Sequence, residues 1–383
     1  MRFDTTLYYH VGDDYSWPML FDEMREPVEL VEELGFTGIW LAEHHFAFDG
    51  WYRSGSHPLM LGAEAARWSN RLRFGQCGLI LPDWHPIRVA EDIAFFDHMT
   101  KGRVDIGIAP GINSRACGQF HLSADRRDRE TNRRLYEENA QIVIKALENE
   151  AFEHHGEFWR FPAKEWNDTI PHGFDNRFHG PQGELQKLGI CPGPYQRPRP
   201  AMWAMSESKG SAEFCARNNI GTMSQSLSLA RIRENWEHYR AIASETRGCE
   251  MGFGEGLAIM RNTYVADDYE TALSDARRGY NRLFAWASDS PLHQRAKAVT
   301  TEEFDESDID LDWLEFQIKI DSALVGSPET VAKQLQRLVD FGCPHLALFL
   351  NIPGLGFERV KNSLQLFATE VIPRVNFSGQ HQS

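Results

Sequence analysis

The chain is short of the features that mark several large protein classes. Its six cysteines, Cys77, Cys117, Cys191, Cys215, Cys249 and Cys343, are scattered with no Cys-x-x-Cys pair. That pattern argues against a disulfide scaffold and suits buried thiols in a reducing cytoplasm. No apolar run approaches the roughly 20 residues that cross a bilayer. The opening MRFDTTLYYH lacks the basic-then-apolar character of a secretion signal. Positive charge is in deficit, with 40 Lys plus Arg against 55 Asp plus Glu and a net −15. Such a field repels a nucleic-acid backbone or an anionic membrane, so neither is expected as a partner. The densest basic stretch, Arg126–Arg134, alternates with Asp128 and Glu130 and is followed by Glu137, which reads as an ion-paired helix face. No Gly-x-Gly-x-x-Gly follows the first strand, and there is no P-loop, Gly-x-Ser-x-Gly or His-Glu-x-x-His. The cluster Gly252–Gly256 precedes a strand rather than opening a helix. A doubly wound dinucleotide fold is therefore disfavoured.

What is present is ordinary globular composition, 42% hydrophobic and 25% charged. A length of 383 residues allows two domains or one decorated α/β barrel. Short apolar runs alternate with helical patterns, the signature of a parallel sheet with crossover helices. Strands are expected at Arg2–Tyr9, Gly38–Ala42, Leu72–Leu81, Arg103–Ala109, Ala201–Met205, Gly221–Ser224, Leu257–Val265 and His345–Asn351. Helices fill the intervals, among them Pro58–Trp68, His85–Met99, Arg129–Leu147, Leu229–Ser244, Tyr269–Ala287 and Pro328–Phe341. Two irregular stretches break the rhythm. One, 150–199, is dense in proline, glycine, histidine and aromatics, and the other, 288–312, is acidic. Segments this long are usually functional or disordered, and the aromatic density of the first favours an ordered covering. The expected architecture is a (β/α)8 TIM barrel forming one domain over 1–383, with insertions after the fourth and seventh strand units.

In such a barrel, chemistry gathers at the carboxyl ends of the strands. The second strand ends in Glu43-His44-His45-Phe46. These are either a satisfied core pair with a structural carboxylate or a general acid/base with neighbours that fix its tautomer. The third ends in Leu81-Pro-Asp-Trp-His-Pro86, where His85 faces the same end and Pro86 suits a first helical turn. The fifth runs into Met205-Ser-Glu-Ser-Lys-Gly-Ser211. Small polar residues opening a helix form either a simple N-cap or a phosphate cradle, with Lys209 as a further donor. No metal is expected. The first strand has no His-x-His, and the His-rich stretch 154–179 lies in an insertion where ligands are poorly fixed.

Taken in order, these segments resemble the bacterial luciferase family of flavin-dependent monooxygenases. The likeness rests on Ile39–Phe46, on Leu81–Asp92 continuing through Phe96–Arg103, on Val325–Thr330 and on Leu366–Pro373. It implies a barrel that binds FMN, as FMNH2, at its carboxyl face and reacts it with O2 to a C4a-peroxide, which oxidises a small, uncharged or cyclic organic substrate. A separate flavin reductase would supply the reduced flavin from NAD(P)H. By matching position, His44 is the acid/base beside the flavin, supported by Glu43 and His45, and His85 lines the same pocket. Glu207 and Ser208 offer backbone amides and Ser211 its hydroxyl to the phosphate. Cys77-Gly78 falls where the family has a cis peptide against the ring system. The chain departs from luciferase after the fourth strand, where Ala109-Pro110-Gly111 replaces Cys-Arg-Gly. The phosphate-binding arginine is thus missing, and Arg115 or Lys209 is its expected substitute. The aromatic 152–166 and the acidic 288–312 segments are the expected lid. The likeness also implies a homodimer. A deazaflavin- or flavin-dependent hydride-transfer enzyme, a metal-dependent hydrolase and a non-catalytic flavin binder are the competing readings.

Overall fold

The computed structural model describes residues 1–7, 16–46, 55–112, 114–164, 166–169, 173–287, 299–300, 312–350, 352 and 354–378, with only the backbone of 115 and 281–287. In chain order the elements are β1 (Arg2–Thr6), α1 (Trp17–Glu23), α2 (Arg25–Glu33), β2 (Gly38–Leu41), α3 (Pro58–Ala65), β3 (Arg73–Gln76), β4 (Leu79–Ile80), α4 (Pro86–Thr100), β5 (Val104–Ala109), α5 (Ser114–Phe120) and α6 (Arg129–Glu148). There follow β6 (His154–His155), β7 (Arg160–Phe161), β8 (Ala201–Met205), α7 (Lys209–Arg217), β9 (Gly221–Ser224), α8 (Leu229–Arg247), β10 (Leu257–Val265) and α9 (Tyr269–Ala287). The last described elements are α10 (Trp313–Lys319), β11 (Ala323–Gly326), α11 (Pro328–Phe341), β12 (His345–Phe349) and α12 (Phe357–Leu366).

Strands β12, β1, β2, β3, β5, β8, β9 and β10 pair in parallel in that order, and β10 closes the circle on β12. This is the (β/α)8 barrel. The third barrel strand, expected as one run to Leu81, is two short pieces, because the ladder breaks at Cys77-Gly78 and resumes as β4 on β5. The first strand, expected to reach Tyr9, ends at Thr6, and residues 8 and 9 lie outside the described set. An additional strand, β11, extends the sheet along the far half of β10. Only four residues long and directly preceding a strong helix pattern, it gave no separate strand signal.

Period-two alternation sorts each strand. Ile39 and Leu41 join the large apolar layer under the helices, whereas Trp40 points into the barrel with Met223, Ala258, Met260, Ala347 and Phe349. Two tryptophans fill the middle of that interior, and small residues opposite make the room. A Cβ on Gly75 would lie 2.4 Å from the Trp40 ring, and one on Gly221 would lie 2.5 Å from the Trp203 ring. Large-against-small pairing of this kind lets a barrel core reach close packing.

Below the tryptophans, at the amino ends of the strands, sits a charge network. Asp4 is fully buried and accepts from the Trp40 indole N–H (2.9 Å), the His345 ring (2.7 Å), Thr37 Oγ1 (2.5 Å) and the Arg2 guanidinium. Arg2 also reaches Asp105, which Arg73 holds in a two-point pair at 2.9 and 3.0 Å. Burial alone would raise the Asp4 pKa, but His345 and Arg2 more than offset it and hold this carboxylate well below the usual range.

The 150–199 insertion is fixed to the barrel near both ends, its hairpin at Glu138 and its last residues by Gln196 on Asp97 and Arg199 on Glu148. Glu138 on α6 accepts from the backbone N–H groups of Glu157, Phe158 and Trp159 and from the His154 ring. Those bonds tether the two-stranded β6–β7 hairpin to the scaffold. Within 150–199, residues 165 and 170–172 are outside the described set, as are nearly all of 288–312, so the expected lid role of the second segment falls outside it too.

Candidate active site

The carboxyl end of β2 delivers Glu43, His44 and His45 together. Glu43 is 2% exposed, and both of its oxygens are engaged. It accepts from the Ile80 amide (3.0 Å), the Trp84 indole N–H (2.9 and 3.1 Å) and the His45 ring (2.8 Å). This carboxylate ties the end of β2 to the turn after β4. Its oxygens point to protein donors. His44, half-buried beside it, is pushed down to about 3 by burial and by the neighbouring His45, so its imidazole is neutral at pH 7. Its backbone N–H donates to Gly55 O, which fixes where the ring starts from.

Aromatic rings surround this pair. His45 lies 4.5 Å edge-on to Phe120, and Phe46, at a left-handed φ of 71°, stacks on Phe120 at 5.7 Å. His85 stands at the start of α4, with Trp159 edge-on at 4.8 Å and Phe161 at 5.6 Å. Desolvation there lowers its pKa. Trp159 is itself held by its indole N–H to Asn139, whose amide donates back to Leu81 O. The hairpin thus forms one aromatic wall of the mouth, and α5 another. Neither Trp159 nor Phe120 was singled out from sequence, because aromatic residues inside an aperiodic segment carry no positional signal.

The peptide bond between Cys77 and Gly78 is cis, as the family resemblance implied. Cys77 packs on the barrel interior with Trp203 and Met205. Gly78 must be glycine on grounds of space, since a Cβ would lie 3.0 Å from the backbone of Ile108. Burial raises the Cys77 thiol to about 12, which leaves it un-ionised.

At the end of β8, the N-cap expected from the sequence is present. Ser208 is the N-cap of α7, and its side chain accepts from the Ser211 amide in a reciprocal box, with the Ser208 amide donating to Ser211 Oγ at 3.3 Å. Ser206 Oγ lies 2.8 Å from Ser211 Oγ. The box consumes the Ser208 amide that the resemblance had assigned to a phosphate. The described structure gives no protein partner to the amides of Glu207, Lys209 and Gly210, and open space lies over Gly210. These amides and the exposed Lys209 form an anion-ready helix start. Glu207 turns its carboxylate to the amides of Gln225 and Ser226, fixing the β8 and β9 ends to each other. The Arg115 side chain lies outside the described set. An open helix N-terminus thus stands at one rim and a neutral histidine among rings at another.

Glu43, His45 and Asp83 each bring one ligand-type atom within 4.8 Å of the others, the one such group among the described residues. Glu43 already accepts from three protein donors.

Comparison with known proteins gives a consistent result. The model of the luciferase-like monooxygenase family matches residues 1–345. The oxygenase component of the flavin-dependent trigonelline monooxygenase of Acinetobacter baylyi is 27% identical, over 97% of this chain and 95% of that one. The oxygenating constituent of 3,6-diketocamphane monooxygenase from Pseudomonas putida, a type II Baeyer-Villiger enzyme solved with FMN, superposes with a TM-score of 0.72 at 20% identity, over 98% and 99% of the two chains. The coenzyme F420-dependent tetrahydromethanopterin reductase of Methanopyrus kandleri shares the fold with a TM-score of 0.63 at 15% identity, over 98% and 99%.

Proposed function

The chain belongs to the luciferase-like monooxygenase family, and from that premise we propose that it is the oxygenase component of a two-component system. It takes reduced FMN from a separate NAD(P)H-dependent reductase and uses O2 to place one oxygen atom in a small, uncharged or cyclic organic substrate. The observation that carries this reading is the pairing, on one face of the barrel, of a neutral His44 among aromatic rings with an open helix start at α7. The A. baylyi relative's name, an oxygenase component, supports a separate reductase, and the FMN bound in the diketocamphane enzyme supports the cofactor.

The amides of Lys209 and Gly210, with the Ser211 hydroxyl and the Lys209 ammonium, would hold the FMN phosphate, with Arg115 as the second candidate for the cation. The Cys77-Gly78 segment would line the flavin side of the barrel mouth. When bound, the reduced flavin supplies the two electrons that activate dioxygen. His44 acts as a neutral imidazole, donating or accepting one proton at a ring nitrogen, and the Glu43–His45 bond keeps the strand end that carries it in place. The aromatic wall of Trp159, Phe161 and Phe120 keeps water from the reacting atoms, which suits chemistry that stray protons would abort. Glu43 itself is a positioning residue, with its oxygens committed to protein donors.

The test is anaerobic binding of reduced FMN, followed by isotopically labelled dioxygen and a panel of cyclic ketones and terpenes. Label in one product oxygen supports the reading, and failure to bind reduced FMN overturns it. Binding of a deazaflavin instead would favour hydride transfer, for which the shared fold of the F420-dependent reductase speaks. We place the protein in the cytoplasm, where its six free thiols persist; no helix among the described residues is long and apolar enough to cross a membrane. We expect a homodimer, checked by sedimentation.

A further inference from the structure

Asp83 sits in the turn after β4, beside Glu43 and His45 from the end of β2. Both of its carboxyl oxygens are closed to solvent and receive no N–H donor, and their hydrogen-bonding neighbour is the weakly donating Cys117 thiol. The groups that face it are Glu43 and His45 from the end of β2 and the Cys117 thiol from α5, with Arg126 beyond the thiol. One oxygen of Asp83, one of Glu43 and a ring nitrogen of His45 lie within 4.8 Å of one another. Two carboxyl groups that close, shut off from water, cannot both ionise cheaply. The donors decide which one keeps the charge. Glu43 receives N–H groups from Ile80, Trp84 and His45, and Asp83 receives none.

We propose that Asp83 is held as a neutral carboxylic acid, and that it is a positioning residue keeping a single negative charge, that of Glu43, at the strand end that carries His44 and His45. Deprotonating Asp83 places a second charge there and disturbs the strand end that carries His44. Burial and the Glu43 charge push the Asp83 pKa up to about 7, so the switch falls within the working range. The effect on turnover rests on His44 as the acting group, whereas the protonation of Asp83 does not.

The two are separated by working first on the protein without flavin. Infrared difference spectra taken from pH 6 to pH 8 will show a protonated-carboxyl carbonyl band that titrates near neutrality and is missing in Asp83→Asn. In Cys117→Ser a stronger donor stands beside the oxygens, which stabilises the charged form, so the band persists but its midpoint moves to lower pH. Thermal unfolding adds a second readout. A raised carboxyl pKa contributes stability below about pH 4 and loses it as pH rises to about 7. Asp83→Asn should therefore gain on the wild type in melting temperature across that window. In turnover, the wild-type kcat should fall about tenfold per pH unit above the midpoint, with KM for FMN unchanged, and Asp83→Asn should be flat. An ionised Asp83 at pH 6, shown by no band differing between wild type and variant, overturns the proposal. So does zinc binding by the wild type that Asp83→Asn abolishes, because the three side chains would then be ligands.

Discussion

The two ends of this barrel handle buried carboxyl groups in opposite ways. At the amino end, Asp4 collects donors from an indole, a histidine, a threonine and a guanidinium, and its charge is held well below the usual carboxylate range. At the carboxyl end, the Asp83 oxygens are also shut off from water yet receive no N–H donor, only the weak Cys117 thiol, and its pKa rises. The floor commits its charged groups to each other and becomes a plug. The mouth commits Glu43 and leaves Asp83 under-satisfied, as suits a reacting centre. Stability should therefore respond chiefly to changes at the floor, and activity to changes at the mouth.

The largest effect should come from the floor. Asp4→Ala strands His345 and Arg2 without their anion and should cost about 3–5 kcal/mol, the usual cost of breaking a buried pair. Urea unfolding measures it, and turnover per folded molecule should survive. A loss of turnover with unchanged stability would erase the contrast. His44→Ala comes next, with roughly a hundredfold loss in kcat for want of its acid/base group, while the unfolding midpoint stays near the wild type. Ser208→Ala removes the cap of α7 and should lower stability by about 1 kcal/mol, with a modest weakening of FMN binding by titration. Smallest is Lys209→Ala. It should weaken FMN binding a fewfold in low salt and hardly at all in high salt, since an exposed cation is screened.

Acidity sharpens the same comparison. Asp4, with its depressed pKa, contributes stability above the ordinary carboxylate pKa and loses it as pH falls below that value. Asp83 does the reverse, losing its contribution as pH rises toward 7. The wild type and Asp83→Asn should thus differ most near neutrality and converge in acid.

Sequence reasoning reached the barrel because alternation and helix periodicity are local. Tyr269–Ala287 and Pro328–Phe341 were placed to the residue, with Ser327 and Gly342 capping the second of these. It stopped short where long-range geometry decides. The Leu72–Leu81 run carries no local mark of the break at Cys77-Gly78, and α1 and α5, only seven residues each, are too short to show a period. At the site, the Glu43–His45 cluster was visible as adjacent polar residues at a strand end. Asp83 looked like an ordinary turn residue between Pro82 and Trp84, because its meaning depends on Glu43, some forty positions away. Likewise, Ser208 and Ser211 announced a helix start, but which amides the cap consumes is a matter of side-chain rotation.

The tether at Glu138 has a consequence for how this protein can change. Most of the bonds that fasten the hairpin run to one carboxylate on α6, with Arg134 holding Glu157 and Asn139 holding Trp159 on the same helix. The hairpin is therefore pinned to a single helix, whereas the far end of the insertion is held separately, by Gln196 on Asp97 and Arg199 on Glu148. The rings the hairpin carries, Trp159 and Phe161, can change identity and so reshape the mouth while the Glu138 pin and the barrel stay as they are.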